Sequence, residues 1–266
     1  MTDAIGEAAR LMADGGVVVL TGAGMSEEAG IPTFRDPGGL WDRFDPSEFG
    51  TWQGLAGLAT SRPDDLAEFL AALRRALAGA RPGPGHVALA RLEEAGLVEA
   101  VVTQNVDGLH QEARSRRVIE IHGSFLRHRC LRCGRTDTVT RDEVCEGLER
   151  AVVGLRQAFV PSFESILPRC SSCGGPARPD FVAFGETLRD FEEADRLATE
   201  CRVLLAVGTS GEVYPAASLP ETARSAGATV VVVASGPTAV AADVVIQGKA
   251  GEVLPRLAEA SLAAKD

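Results

Sequence analysis

The stretch VVVLTGAGMS, residues 17–26, decides the fold class. Its run of valines and leucine predicts a strand buried on both faces, and Gly22 and Gly24 predict a tight turn after that strand. A glycine turn before a helix lets the backbone approach a phosphate group. A plain strand-to-helix turn is the alternative, because Glu27 stands where a dinucleotide fingerprint would have its third glycine.

Five further runs have the same apolar character, and helical stretches fall between several of them. The predicted strands are 98–103, 117–121, 203–207, 229–233 and 243–246. Strands that alternate with helices predict an α/β fold with a doubly wound parallel sheet.

Two segments interrupt this alternation. Residues 36–79 contain no convincing strand, and apolar residues recur there at helical spacing from Leu66 to Leu77, which predicts a helical insert. Residues 125–178 carry five of the six cysteines, four of them in two close pairs, and show weak periodicity. We expect this second segment to be a small module that is held by something other than an apolar core.

The cysteines form two C-x-x-C pairs, each followed by glycine. The pairs are Cys130 with Cys133 and Cys170 with Cys173. Four thiolates suit a tetrahedral structural Zn²⁺. Two disulfides or a redox pair are the alternatives, and a reducing compartment disfavours structural disulfides. The remaining thiols, Cys145 and Cys201, are expected to be buried and not to bind metal.

Polar residues follow the predicted strands at 98–103 and 117–121. The stretch TQNVDGLH spans 103–110, and His122 precedes Gly123. Both lie at the carboxyl edge of the sheet, where such folds bind ligands. An amide pair with a carboxylate can hold ribose hydroxyls and a carboxamide, although an Asx-rich turn is the alternative. His122 is a candidate general base, whereas the other three histidines have no comparable setting.

The composition narrows the class of protein. The formal net charge is −10, and 45% of the residues are hydrophobic. This is a globular composition, and its acidic balance argues against a nucleic-acid partner. No apolar run is long enough for a membrane helix, and the first residues lack the pattern of a signal peptide. We therefore expect a cytoplasmic protein.

Six motifs, taken together, resemble the sirtuins, which are NAD-dependent protein lysine deacylases. They are GAGMSEEAGIPTFR (22–35), TQNVDGLH (103–110), IEIHG (119–123), the two C-x-x-C pairs, RPDFVAFGE (178–186) and VGTSGEVYPA (207–216). The resemblance implies a Rossmann-like NAD-binding domain made of 1–35, 80–124 and 177–266. It also implies a cofactor loop with the helical insert at 36–79, and a zinc-ribbon module at 125–176.

The resemblance further implies roles for individual residues. His122 would be the catalytic base, and Asn105 would act both in catalysis and, with Asp107, around the nicotinamide. Ile31 and Arg35 would belong to the cofactor loop. Residues expected to contact the rest of NAD are Gly22, Ala23, Gly24, Ser26, Gln104, Gly208, Thr209, Ser210 and, in place of a more usual Asn, Ser235.

An acyl-lysine protein or peptide would be the substrate. It would add as a strand between two edges, through the residues Val182, Phe184, Gly185, Glu186 and Val213. Its acyl group would pass to ADP-ribose, with release of nicotinamide and O-acyl-ADP-ribose, and the zinc would take no part in the chemistry.

One departure bears on the acyl group. Thr33 and the long gap between the cysteine pairs are features that this sequence shares with the sirtuins that remove acidic acyl groups. Those sirtuins bind the acyl carboxylate with a Tyr-x-x-Arg motif. Leu70 and Leu73 occupy the matching positions here, although Arg74 could restore half of the clamp if it turned inward. We therefore expect neutral acyl groups to be preferred. The alternatives are a protein ADP-ribosyltransferase on the same scaffold, or a non-enzymatic NAD-sensing zinc-ribbon protein.

Overall fold

The computed structural model describes residues 2–33, 39–157 and 162–265. The chain folds as two compact units. The sheet unit comprises Met1–Ala29, Arg81–Ile121 and Leu188–Asp266, and the cysteine unit comprises Gly30–Ala80 and His122–Thr187. The strands are β1 Val17–Thr21, β2 Val98–Thr103, β3 Val118–Glu120, β4 Gly123–Cys130, β5 Thr136–Thr138, β6 Ala177–Phe181, β7 Val203–Val207, β8 Thr229–Ala234 and β9 Val244–Gln247.

Helices account for most of the remaining structure. The α-helices are α1 Thr2–Met12, α2 Leu40–Arg43, α3 Pro46–Phe49, α4 Trp52–Ser61, α5 Pro63–Gly79, α6 Pro84–Glu94, α7 Leu109–Glu112, α8 Arg141–Gln157, α9 Phe191–Glu200, α10 Leu219–Ser225 and α11 Ala250–Lys265. Short 3₁₀ turns lie at Ala23–Met25, Glu27–Ala29, Phe163–Ile166 and Ala216–Ser218.

The sheet unit is built on a six-stranded sheet with the order β3-β2-β1-β7-β8-β9. Every neighbouring pair in this sheet is parallel. The predicted doubly wound sheet is therefore confirmed, with β1 paired to β2 on one side and to β7 on the other. The winding reverses at this position, so the loops after β1 and β7 flank the crevice in which such sheets bind ligands.

Both faces of this sheet are covered by helices. Successive side chains of a strand point to opposite faces, so Val17 and Val19 enter one core while Val18 and Leu20 enter the other. The first core includes residues of α1, α6 and α11, and the second includes residues of α9 and α10. Burial on both faces explains why β1 reads as an uninterrupted apolar run.

The cysteine unit joins the helical insert to the cysteine-bearing segment. Leu66 and Phe69 of α5 share one apolar cluster with Val152 and Leu155 of α8. The expectation that the cysteine-bearing segment lacks an apolar core is therefore wrong for α8, whose apolar residues recur at helical spacing and pack on α5. The four cysteines of the C-x-x-C pairs belong to the part around the antiparallel sheet β5-β4-β6, whereas Cys145 lies on α8.

Candidate functional site

The loops after β1 and β7 touch each other backbone to backbone in the sheet unit. The N–H of Gly24 donates to the carbonyl oxygen of Gly208 at 2.9 Å. A Cβ atom on Gly22 would lie 2.7 Å from that same oxygen, and one on Gly208, where φ is +57°, would lie 2.5 Å from the carbonyl carbon of Gly24. These glycines are required because the two loops pack without side chains between them.

Three of the predicted cofactor residues meet beside these loops. The hydroxyl of Ser26 donates to Oδ2 of Asp107 at 2.8 Å. Nδ2 of Asn105 donates to Oγ of Ser26 at 3.1 Å and to the carbonyl oxygen of Gly22 at 3.0 Å. Oδ1 of Asp107 accepts the N–H of Leu109 at 2.9 Å. All three polar side chains are buried, so they form a rigid, hydrogen-bonded group at the carboxyl edge of the sheet.

Two histidines that were not predicted to lie here extend this group. The N–H of Gly83 donates to Nδ1 of His86, so Nε2 of His86 carries its proton and lies 3.5 Å from Oγ of Ser26. Nε2 of His110 lies 3.0 Å from the hydroxyl oxygen of Thr21. The expectation that His86 and His110 lack a comparable setting is wrong. His110 closes the stretch TQNVDGLH, and this was the signal that could have placed it here.

Both of these imidazoles are held neutral. Burial lowers the pKa of His86, against the opposing effect of Asp107 and Glu112. Burial, and then the neighbouring His86, lower the pKa of His110 to about 3. The two ring centroids are 4.9 Å apart, so the protonated forms would also repel each other.

Other predicted cofactor residues lie at neighbouring strand ends. Nε2 of Gln104 donates to Oγ1 of Thr209 at 2.9 Å, which links the ends of β2 and β7. Ser210 is half-buried in the same loop as Thr209, and Ser235 is exposed just after β8. Arg35 lies outside the described residues. Ile31, the other predicted loop residue, packs against the core around Leu77 in the cysteine unit.

His122 lies between β3 and β4 and is half-buried. Its carbonyl oxygen accepts the N–H of Val182 at 2.7 Å. Gly123 has φ +73°, and a Cβ atom there would lie 1.9 Å from the carbonyl oxygen of Asp180. Only glycine fits at 123, and the backbone of His122 is fixed by these contacts.

The four cysteines of the two C-x-x-C pairs come together in the cysteine unit, where their Sγ atoms lie within 4.8 Å of one another. Sγ of Cys130 is 3.5 Å from that of Cys173, and Sγ of Cys133 is 3.8 Å from that of Cys170. Tetrahedral zinc with Zn–S distances of about 2.3 Å places its sulfurs about 3.8 Å apart, so the cluster fits zinc. The backbone N–H groups of Cys133 and Arg132 lower the pKa of Cys130 to about 6, which favours a thiolate ligand.

The predicted peptide-binding segment 182–186 makes many of its own contacts within the cysteine unit. The N–H of Phe184 donates to the carbonyl oxygen of Gly50 at 2.9 Å, and the N–H of Ala183 donates to Oε2 of Glu186 at 3.0 Å. With Val182 bonded to His122, the N–H groups at 182–184 are all engaged and are not open for an added strand. Val213, in the sheet unit, lies in a bend and not in a strand.

An apolar cavity of about 80 Å³ lies inside the cysteine unit. Leu70 and Leu73 line it together with aromatic residues such as Phe69 and Phe181, and His128 is a polar residue of the lining. Arg74 does not line it, and Nε of Arg74 lies 2.8 Å from Oε2 of Glu149. The half-clamp that Arg74 could have restored is therefore not formed.

Residues 22–215 match the model of the Sir2 family. The chain belongs to the Sir2 family. This sirtuin is 42% identical over 262 residues to the NAD-dependent protein deacylase of Desulfosudis oleivorans, with 97% of this chain and 96% of the relative covered. It is 47% identical over 246 residues to NAD-dependent protein deacylase 2 of Pyrobaculum aerophilum, with 91% and 89% covered.

Solved structures of Sir2 proteins have the same fold as this sirtuin. A Sir2 enzyme that is 40% identical superposes with a TM-score of 0.79 and coverage of 98% of both chains. A Sir2 homologue solved with NAD is 34% identical, with a TM-score of 0.78 and coverage of 98% and 94%. Sir2Af2, solved with a myristoylated histone peptide, is 36% identical, with a TM-score of 0.72 and coverage of 98% and 97%.

Among the helices that the structure describes, none combines the length and the apolar character that crossing a membrane demands.

Proposed function

We propose that this sirtuin, an NAD-dependent protein deacylase, removes neutral acyl groups from lysine side chains of protein or peptide substrates. Nicotinamide and O-acyl-ADP-ribose are the accompanying products. The observation that carries the proposal is the buried group of Ser26, Asn105 and Asp107 at the carboxyl edge of the sheet, in a chain of the Sir2 family.

The sheet unit supplies the residues that bind NAD. The loops at 22–24 and 208–210 approach each other without side chains between them, which suits them to receive a pyrophosphate. Asn105 and Asp107 orient the nicotinamide end, with Asn105 also catalytic, and Gln104 and Ser235 serve the riboses. When bound, NAD supplies the leaving nicotinamide and the ADP-ribose that accepts the acyl group.

His122 acts as the general base. It lies in the turn between β3 and β4, and its backbone is fixed by Val182 and Gly123. A neutral imidazole can accept a proton, which suits histidine to act as a general base. In this role His122 takes the proton from a ribose hydroxyl, which makes that oxygen a nucleophile toward the acyl carbon.

The apolar cavity supports the neutral acyl preference. A succinyl or malonyl carboxylate that is buried without a partner costs several kcal/mol, and Leu70 and Leu73 offer no charge to pair with it. The guanidinium of Arg74, which could have done so, is paired with Glu149. The complex of Sir2Af2 with a myristoylated peptide is consistent with an apolar acyl group in a related protein.

The peptide contacts stay a proposal at Val182, Phe184, Gly185, Glu186 and Val213. Because the N–H groups at 182–184 are engaged, we expect the substrate backbone to donate to carbonyl groups of this segment, with the N–H of Gly185 completing the pairing. The acidic net charge supports protein substrates over nucleic acid. Four thiols that serve as metal ligands favour a reducing compartment, which supports a cytoplasmic location.

The decisive experiment compares one peptide that carries acetyl-, butyryl- or succinyl-lysine. With NAD, the chain should release nicotinamide and form the free lysine peptide and O-acyl-ADP-ribose, as measured by mass spectrometry. The value of kcat/KM should be lowest for succinyl-lysine. Succinyl-lysine as the best of the three would overturn the acyl preference. Transfer of ADP-ribose to a protein without deacylation would favour the ADP-ribosyltransferase instead.

A further inference from the structure

The carboxylate of Glu186 accepts three hydrogen bonds within the cysteine unit. We call this arrangement of Glu186 with Trp52, Arg178 and Ala183 the brace. Oε2 of Glu186 accepts the indole N–H of Trp52 at 3.1 Å and the backbone N–H of Ala183 at 3.0 Å. Its Oε1 accepts Nη2 of Arg178 at 2.7 Å. One side chain therefore ties the end of the segment 182–186 to β6 and to the first residue of α4.

Arg178 and Trp52 also contact each other directly. The guanidinium carbon of Arg178 lies 4.5 Å from the centroid of the Trp52 ring, and that ring stacks on Phe181 with a centroid separation of 4.8 Å. The side chain of Arg178 is only 9% exposed. A buried guanidinium that is paired with a carboxylate and covered by an aromatic face has a fixed position.

A second contact holds the middle of the same segment. The N–H of Phe184 donates to the carbonyl oxygen of Gly50, and the ring of Phe184 packs so closely on Gly50 that a Cβ atom there would lie 2.4 Å from Cδ2 of Phe184. Phe184 itself is 45% exposed. The segment is thus held to residues 50–52 at two points, Phe184 and Glu186, while the ring of Phe184 stays accessible to solvent.

We propose that Trp52 and Glu186 are positioning residues that hold 182–185 in the conformation that receives the acylated peptide. The inference rests on the proposed function, since it concerns the segment that we assign to peptide binding. The carboxylate of Glu186 then acts through its contacts inside the protein, and Glu186 meets the peptide only through its backbone. A segment that is already ordered loses less conformational entropy when a peptide binds, so the brace lowers the KM for peptide.

The test uses the full chain with zinc bound and three variants. Trp52→Phe keeps an aromatic ring and removes the indole N–H, Glu186→Ala removes the acceptor, and Glu186→Gln retains one acceptor oxygen. We expect the KM for an acetyl-lysine peptide to rise about tenfold in Trp52→Phe and Glu186→Ala, and less in Glu186→Gln. The kcat and the KM for NAD should stay within about twofold, because the brace acts on the peptide segment.

Two measurements separate positioning from other roles. Trp52 also lines the apolar cavity, so each variant is assayed with acetyl- and butyryl-lysine peptides. A positioning effect raises both KM values equally, whereas a cavity effect depends on the acyl length.

Amide hydrogen exchange at 183–185 without substrate should become faster in Trp52→Phe and Glu186→Ala. Gly57→Ala serves as the matched control, because a Cβ atom there meets no heavy atom within 4 Å.

The outcomes distinguish the two proposals. If the unmodified chain deacylates none of the peptides with NAD, the proposed function fails. If it is active but Trp52→Phe keeps both the original KM and the original exchange rates, the positioning role is wrong. A raised KM in Glu186→Ala alone, with unchanged exchange, would instead make Glu186 a direct substrate contact. Should Glu186→Ala fail to fold, Trp52→Phe still decides the question.

Discussion

The sheet unit and the cysteine unit are stabilised by different kinds of interaction. In the sheet unit, helices cover both faces of a six-stranded parallel sheet, and two extensive apolar cores result. The cysteine unit combines a helical cluster with a three-stranded sheet whose β5 is exposed at Thr136 and Thr138. The part around this sheet contributes few residues to the apolar clusters of the unit, and zinc held by the four thiols would stabilise it instead.

The two units also differ in the polar side chains that they bury. The sheet unit buries Ser26, Asn105 and Asp107 in a hydrogen-bonded group with two neutral histidines beside it. The cysteine unit instead contains an apolar cavity, and its ion pair joins the buried guanidinium of Arg178 to the partly exposed carboxylate of Glu186. Rigid polar groups suit recognition of a polar nucleotide, whereas an apolar cavity suits a hydrocarbon chain.

The largest expected effect concerns the metal. Cys130→Ala or Cys173→Ala should abolish zinc binding and unfold the region around β4, β5 and β6, because binding of structural zinc contributes about 10–16 kcal/mol in small domains. Metal analysis should give one zinc per chain before the substitution and none after it. Limited proteolysis should then cut the cysteine unit first. Cys201→Ala, in the sheet unit, is the control and should retain its zinc.

The second effect concerns catalysis. His122→Ala should lower the rate of deacylation about 10²- to 10⁴-fold, as expected for the loss of a general base. The zinc content and the urea midpoint should not change, because His122 is half-buried and is not a metal ligand. A folded variant that turns over like the unmodified chain would rule out this role.

The third effect is the pH dependence of the sheet unit. Burial lowers the pKa of His110 to about 3, and burial also lowers that of His86. In the unfolded chain both would titrate near 6.5. The unfolded chain therefore binds more protons below that pH, so this stability is fully present above about pH 6.5 and is lost as the pH falls. For His110 the loss continues toward pH 3, at about 1.4 kcal/mol per pH unit.

Amide exchange of β1 and β2 between pH 7 and pH 4.5 measures this loss in the sheet unit alone. The distinction matters because acid also weakens thiolate–zinc bonds in the cysteine unit. In His110→Asn the decline should be shallower by about 1.4 kcal/mol per pH unit, since one titrating group is gone. An equal decline in both proteins would show that His110 is not responsible.

The smallest expected effect is on the free energy of unfolding, and it concerns two glycines of α4 in the cysteine unit. Gly57→Ala should raise the free energy of unfolding by about 0.5–1 kcal/mol, because alanine favours helix and open space surrounds the position. Gly54→Ala should lower it, since a Cβ atom would lie 2.0 Å from the carbonyl oxygen of Glu48. Urea midpoints of the two variants check the opposite signs, and equal shifts would contradict the packing around α4.

The sequence by itself determined the features that neighbouring residues encode. The apolar run at 17–20 is β1, and the two C-x-x-C pairs form one cluster. The apolar spacing from Leu66 to Leu77 lies on α5. These signals are local, because strand periodicity, helical spacing and turn glycines act within a few residues of each other.

Only the tertiary structure decided the contacts between distant residues. Ser26 meets His86 across 60 positions, and Trp52 meets Glu186 across 134. The sequence also did not predict the packing of α8 on α5, or the hydrogen bonds that engage the N–H groups at 182–184. The physical reason is that a hydrogen bond or a packing contact depends on which elements fold against each other. Each side chain has many compatible partners along the chain, and the fold selects one of them.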